Sequence, residues 1–229
     1  MNFAPIFEKF VYFRHGIIYT LLLSFFTVLI GFILALLITL MRLSKNKLIR
    51  GLGTAYVEFV RGTPVLVQLM FVMYVVFGML ITPPKVVLFG FIETERFVPG
   101  VVALSLNSAA YVSEILRAGI TAIDFGQSEA ARSLGMTRTQ TLKFIVLPQA
   151  IRNILPAIGN EFVSVIKETS VCSALGMQEI MYNADIIQSK TWLIAEPLIV
   201  AAVLYFIITF SMSKLMAYLE RRMSSGYKR

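Results

Sequence analysis

Residues 16–41 read GIIYTLLLSFFTVLIGFILALLITLM and carry no charged side chain. An α-helix needs about 20 predominantly apolar residues to cross the hydrocarbon core of a bilayer, so this stretch is predicted to span. It is too long for the apolar part of a cleaved signal peptide, and no small-residue cleavage site follows it. Working outward, the next uncharged run is 62–81, and three further apolar stretches lie at 97–116, 145–166 and 193–213. Glu114 interrupts the third, Arg152 and Glu161 lie in the fourth, and Glu196 with Pro197 sits near the start of the last. The expected fold is an all-α integral membrane protein with five transmembrane helices.

Composition agrees. Of the 229 residues 57% are hydrophobic and only 15% charged, with a mean hydropathy of +0.77. A soluble domain of this size needs a larger polar surface, so the surplus apolar residues face lipid. One cysteine, Cys172, excludes an internal disulfide framework and a Cys-based metal cluster. The lone histidine, His15, leaves no His-rich metal site and reads as an interface residue, as Cys172 reads as packing.

The net charge of +8 raises nucleic-acid binding, but the positions of the charges point elsewhere. Arg42, Lys45, Lys47 and Arg50 follow the first span, and Arg117, Arg132, Arg138 and Lys143 follow the third. Lys214, Arg221, Arg222, Lys228 and Arg229 crowd the tail. The loop after the second span balances Lys85 and Arg96 against Glu93 and Glu95, and the region after the fourth is net acidic. The positive-inside rule then places the N-terminus (1–15) outside and the tail (220–229) in the cytoplasm. No nucleic-acid partner is expected.

The basic loop 124–150 reads DFGQSEAARSLGMTRTQTLKFIVLPQA. Asp124 with Gln127, and Thr137 with Gln140, have capping-box spacing, which marks two helix starts. Gly135 between them suits the left-handed position that ends a helix. Phe125, Ala130, Ala131 and Leu134 give the first helix, about 125–135, an apolar side, and Glu129 and Arg132 are spaced as an i,i+3 ion pair. A short helix, a glycine turn and a second helix leading into a span make a firm cytoplasmic knob.

Glu129-Ala130-Ala131, three residues, Gly135, nine residues, then Ile145, one residue and Leu147-Pro148 match the "EAA" signature of permease subunits in ABC importers. Residues 16–24 (GIIYTLLLS), 56–69 (YVEFVRGTPVLVQL), 108–120 (SAAYVSEILRAGI) and 147–170 (LPQAIRNILPAIGNEFVSVIKETS) resemble the polar-amino-acid branch of that family. That branch includes the histidine, arginine, glutamine and glutamate/aspartate permeases. The Arg-Gly-Thr-Pro stretch at Arg61–Pro64 separates it from sugar and peptide permeases. The resemblance implies a type I ABC importer permease domain over 16–219 in a bacterial inner membrane.

It further implies a coupling helix formed by Glu129, Ala130, Ala131, Leu134 and Gly135 that docks on a separate ATPase. The implied partners are two ABC ATPase subunits, a second permease subunit (identical or homologous) and an extracytoplasmic amino-acid-binding protein. No G-x-x-x-x-G-K-[ST] phosphate loop occurs here, so this chain is not expected to be an enzyme or to bind a cofactor. ATP and Mg belong to the ATPase subunits.

Polar residues at membrane depth usually face a cavity or a partner. Gln149, Asn153, Asn160, Ser164 and Lys167 fall on one face of the fourth span, beside Glu161 and Glu168, and Pro156 and Gly159 interrupt that helix. Span three repeats the theme with Asn107, Tyr111 and Glu114, where Glu114 also has Arg117 one turn on. Ser105, Ser108, Ala109 and Ala110 read as close packing.

Lys47, Arg50, Thr54, Glu58 and Arg61 make a polar stripe opposite Leu48, Leu52, Ala55, Tyr56 and Phe59. That helix either lies flat at the cytoplasmic surface, leaving Glu58 and Arg61 a surface ion pair, or enters the membrane as the start of span two and turns them to the cavity. Glu58, Arg61, Asn160, Glu161, Ser164 and Lys167 are therefore the candidate substrate-pathway residues. Met177, Ile180, Met181, Ala184 and Ile187 oppose Gln178, Glu179, Asp185 and Gln188 in an expected external interfacial helix, with Trp192 at the headgroups beyond it. The rivals are an ion-coupled secondary amino-acid transporter, for which no internal repeat is visible, and an intramembrane enzyme, for which no nucleophile–base pair is visible.

Overall fold

The computed structural model describes residues 1–83 and 85–224; Lys228 and Arg229 of the basic tail lie outside the described residues. The short helix α1 (Ala4–Glu8) leads into α2 (Phe10–Arg42), followed by α3 (Lys47–Arg61) and α4 (Val65–Met70). α4 continues as a π-helix over Phe71–Leu80. A two-residue hairpin, β1 (Val87–Leu88) against β2 (Ile92–Glu93), precedes α5 (Thr94–Thr121). Then come α6 (Phe125–Ser133), α7 (Arg138–Thr141) with a π turn at Leu142–Val146, α8 (Leu147–Glu168), a 3-10 segment at Thr169–Leu175, α9 (Ile180–Thr191) and α10 (Ala195–Ser224).

Helices cover each of the five expected stretches. By length and composition α2, α5 and α10 can cross a membrane alone, and α3 with Val65–Leu80 forms a bent pair that makes a fourth. α8 falls outside that set because Arg152 and Glu161, with Gln149, Asn153 and Asn160, make it more polar along its length.

α5 is the buried centre. α2 lies along it through Thr20, Ser24, Thr27, Gly31, Ala35 and Thr39, small residues that are all buried. A Cβ on Gly31 would stand 3.2 Å from the Ser105 carbonyl oxygen, so the two backbones nearly touch. Ser105, Ala109 and Ala110 pack as the sequence suggests, which is how membrane helices associate without a hydrophobic driving force between them. The lipid-side positions of α2, such as Leu29, Ile33, Leu36 and Leu40, are exposed and apolar.

α3 and Val65–Leu80 meet at 107°, so α3 is not a straight entry into span two. The break falls on Gly62-Thr63-Pro64, where Pro64 starts α4. Proline is disfavoured inside a helix and favoured at its start.

On the other side, α9 closes over α1, α2 and α10. Ile6, Phe13, Ile180, Ala184, Ile187 and Ala201 form its apolar cluster, and Gly16 lies so close that a Cβ would stand 2.9 Å from the Ile180 Cα. Glu179, expected on the polar side, is instead fully buried. Its carboxylate accepts from the Met181 (2.9 Å) and Tyr182 (2.6 Å) amides, which caps α9, and from the Tyr205 hydroxyl of α10. Its partners are amide and hydroxyl dipoles at a helix start. Cys172 is buried in the core, and His15 stacks on Phe91 of the hairpin at 4.3 Å, so both serve packing. Trp192 is 90% exposed just before α10.

Candidate functional site

The knob over residues 124–150 forms as its sequence dictates, with three corrections. Gly135 takes φ +84° at the end of α6, and its amide and that of Met136 return to Arg132 and Ala131 carbonyls (3.0 and 3.1 Å). These bonds satisfy carbonyls that a helix end leaves orphaned. Thr137 and Gln140 make a full capping box. Asp124 caps only the Gly126 amide (2.6 Å), because Gln127 makes no reciprocal bond. Among the described residues no ion pair joins Glu129 to Arg132; Glu129 is exposed, where such a pair gains little. Ala131 is buried against the body and so fixes α6 from behind, whereas Glu129, Ala130, Leu134 (85% exposed) and Phe125 (75% exposed) face outward.

The second cluster gathers along α5 between Asn107 and Glu114, and each residue there meets a different element. Asn107 Nδ2 donates to Gln68 Oε1 of α4 at 3.0 Å. Ser108 Oγ donates to Glu161 Oε1 of α8 at 3.4 Å. The Arg61 guanidinium of α3 lies 5.4 Å from the centre of the Tyr111 ring, a distance at which the ring face attracts a cation. Toward the C-terminal end of α5, Glu114 bridges Arg42 of α2 and Arg117, both at 2.5 Å. The expected Glu114–Arg117 pair is thus half of a three-residue latch that ties α2 to α5.

The charged groups divide by partner. Glu114 is held between two guanidinium groups, while Glu58, Arg61, Glu161 and Lys167 make no ion pair among the described residues. The surface pair Glu58–Arg61 therefore does not form: the two lie exposed on α3, and Arg61 turns to Tyr111. Arg61 and Glu161, of opposite sign, both reach the same turn of α5.

Not every pathway candidate joins them. Asn160 is one residue from Glu161, which on a helix turns it to another face; it lines a cavity of about 90 Å³ beside Ser213 and Met216 of α10. Asn153, Asn160 and Lys167 are exposed in line along α8, with Ser164 half-buried between them. Pro156 sits inside a continuous helix, and Gly159 packs against Met216, so neither interrupts α8. The site residue absent from the sequence reading is Gln68. Its only signal there was an amide in an otherwise uncharged, apolar run.

Residues 27–225 match the family described as "Binding-protein-dependent transport system inner membrane component". The probable glutamine ABC transporter permease GlnM of Bacillus subtilis is 36% identical over 99% of this chain and 100% of its own length. The arginine transport permease ArtQ of the same organism is 36% identical over 99% of both chains. A crystal structure of an amino acid ABC transporter with histidines superposes with a TM-score of 0.86 at 44% identity, covering 97% of this chain and 99% of that one. This chain therefore belongs to the inner-membrane-component family of binding-protein-dependent transport systems, and its fold is that of an ABC importer permease.

Proposed function

We propose that the chain is the permease subunit of an ABC importer that carries polar amino acids into the cytoplasm by alternating access. The observation that carries this reading is that Arg61 of α3 and Glu161 of α8, opposite in sign and in no ion pair among the described residues, both reach one turn of α5. A lone charge at membrane depth is costly, and such residues mark solute pathways. An amino acid brings both an ammonium and a carboxylate, so it offers each group the partner that the chain withholds. Relatives named for glutamine and arginine transport support the same solute class.

Five spans, with α8 as the fourth, take the N-terminus outside and α6 to the cytoplasm. There Glu129, Ala130, Leu134 and Gly135 present the coupling helix to one of two ATPase subunits, which hold ATP and Mg, while Ala131 anchors it. A second permease subunit completes the pathway between facing α8 stripes, where Asn160, Ser164 and Lys167 stand, with Glu58 at the α3 side. A solute-binding protein delivers from outside onto the face formed by α1, α9 and the hairpin.

In proteoliposomes holding the full complex, Arg61→Ala and Glu161→Gln are each expected to lower ATP-driven amino-acid uptake about tenfold or more. That loss corresponds to about 1.4 kcal/mol or more of lost solute interaction. Basal ATP hydrolysis should persist. Uptake unchanged in both variants would remove these two residues from the pathway.

A further inference from the structure

The Arg-Gly-Thr-Pro stretch forms the 107° bend between α3 and α4, and the hydrogen bonds show what holds that angle. The last carbonyls of a helix have no partner of their own, and in a membrane an unpartnered carbonyl costs several kcal/mol. Here the Glu58 carbonyl accepts from the Gly62 amide (2.9 Å) and the Phe59 carbonyl from the Thr63 hydroxyl (3.0 Å). The Val60 carbonyl has a long bond from the Thr63 hydroxyl (3.4 Å) and a shorter one from across the bend, where Gln68 Nε2 donates to it at 2.7 Å. The same amide also reaches the Thr63 carbonyl (3.1 Å) and Thr63 Oγ1 (2.8 Å), while Gln68 Oε1 accepts from Asn107 of α5.

Packing does not hold the angle by itself. An open, largely apolar pocket of about 440 Å³ lies at the bend, between Phe59 and Val60 on one arm and Val67 and Phe71 on the other, with Gln68 in its lining. Arg61 sits at the bend, one residue after Val60, and the direction of α3 sets where its guanidinium lies against Tyr111.

We infer that Gln68 is a positioning residue: it pins the α3–α4 bend to α5 and so holds Arg61 over the solute pathway without touching the solute. This rests on the reading of Arg61 as a pathway residue given above. A glutamine is suited to the task because one planar amide supplies both the donors for the α3 end and the acceptor for Asn107. The length of the side chain spans the bend, and leucine of similar size offers neither function.

The test is a double-mutant cycle in the reconstituted complex of permease, ATPase and binding protein. It measures ATP-driven uptake of labelled glutamine and arginine for Gln68→Leu, Arg61→Ala and the double variant. Each single variant should lower maximal uptake about tenfold, and the double variant should be no worse than the worse single, because Gln68 acts through Arg61. In the Gln68 variants, basal ATP hydrolysis and the binding-protein concentration for half-maximal uptake should stay as in the unaltered complex, which a general loss of structure would not allow. Gln68→Glu, which keeps length and the acceptor but alters the donor, serves if Gln68→Leu does not assemble and should lower uptake in the same way.

Additive losses would overturn the inference by showing that Gln68 acts on its own. Normal uptake in both Gln68 variants, with Arg61→Ala impaired, would overturn it and leave the pathway reading standing. Normal uptake in Arg61→Ala would overturn both.

Discussion

Glu179 is a residue whose chemistry is set by burial. It is enclosed between α2, α9 and α10, and burial pushes its carboxyl up to about 7 from an ordinary 4.5, against the Tyr205, Met181 and Tyr182 hydrogen bonds that favour its charged form. The folded chain thus holds this proton more tightly than the unfolded chain. Stability from this group is therefore greatest below pH 4.5 and declines as pH rises through about 7, by about 3 kcal/mol at most. We predict that the thermal unfolding midpoint of the purified chain falls as pH is raised from 5 to 8, and that Glu179→Gln flattens this slope. A slope identical in the variant would assign the effect to another group. Glu114 is set by its partners instead, since Arg42, whose side chain is 9% exposed, pairs with it. Glu114→Ala strands that guanidinium, with an expected loss of about 2–3 kcal/mol, below that of a fully buried pair because Glu114 is a quarter exposed. Thermal unfolding of the variant measures it.

Among the elements, α6 and its glycine turn are the sharpest case. Gly135 at φ +84° has open space around it, so a side chain there meets backbone strain of about 1–2 kcal/mol rather than a clash. Gly135→Val should leave the membrane helices folded yet misdirect Leu134, so that uptake falls at least about tenfold while solute-independent ATP hydrolysis of the ATPase persists. Co-purification of the ATPase with the variant, compared with unaltered chain, reads the docking directly.

These elements also show what the sequence made legible. Hydropathy located the long helices because lipid demands apolar surface over a fixed length, and Gly135, Thr137 and Gln140 announced their turn through local chemistry. The bend at Gly62-Thr63-Pro64 was hidden, because an uncharged run looks the same whether straight or folded back, and the π-helix over Phe71–Leu80 leaves no mark in composition. The Gln68–Asn107 bond was hidden as a long-range pairing. Glu179 was misplaced because helix periodicity assigns faces only from the first turn onward, and Glu179 is the cap that precedes α9.

At the scale of the whole molecule, one chain offers half of a pathway. The exposed α8 line of Asn153, Asn160 and Lys167, and the outward-facing Phe125 and Leu134 of the knob, are surfaces that partners complete under our reading. α5 joins the elements behind these surfaces, since it holds α3 by Tyr111, α4 by Asn107, α8 by Ser108 and α2 by Glu114. Family membership places the chain in the inner membrane as a transport component, and the energy source is the claim on which the rest depends. The measurement that tests it most directly is amino-acid uptake into proteoliposomes carrying the permease, its ATPase and its binding protein, with either ATP or an ion gradient as the sole driving force. An ATP-driven importer is expected to take up a few polar amino acids only with ATP and the binding protein, and to lose that uptake with Gly135→Val. Uptake driven by the ion gradient in the absence of the ATPase would contradict it.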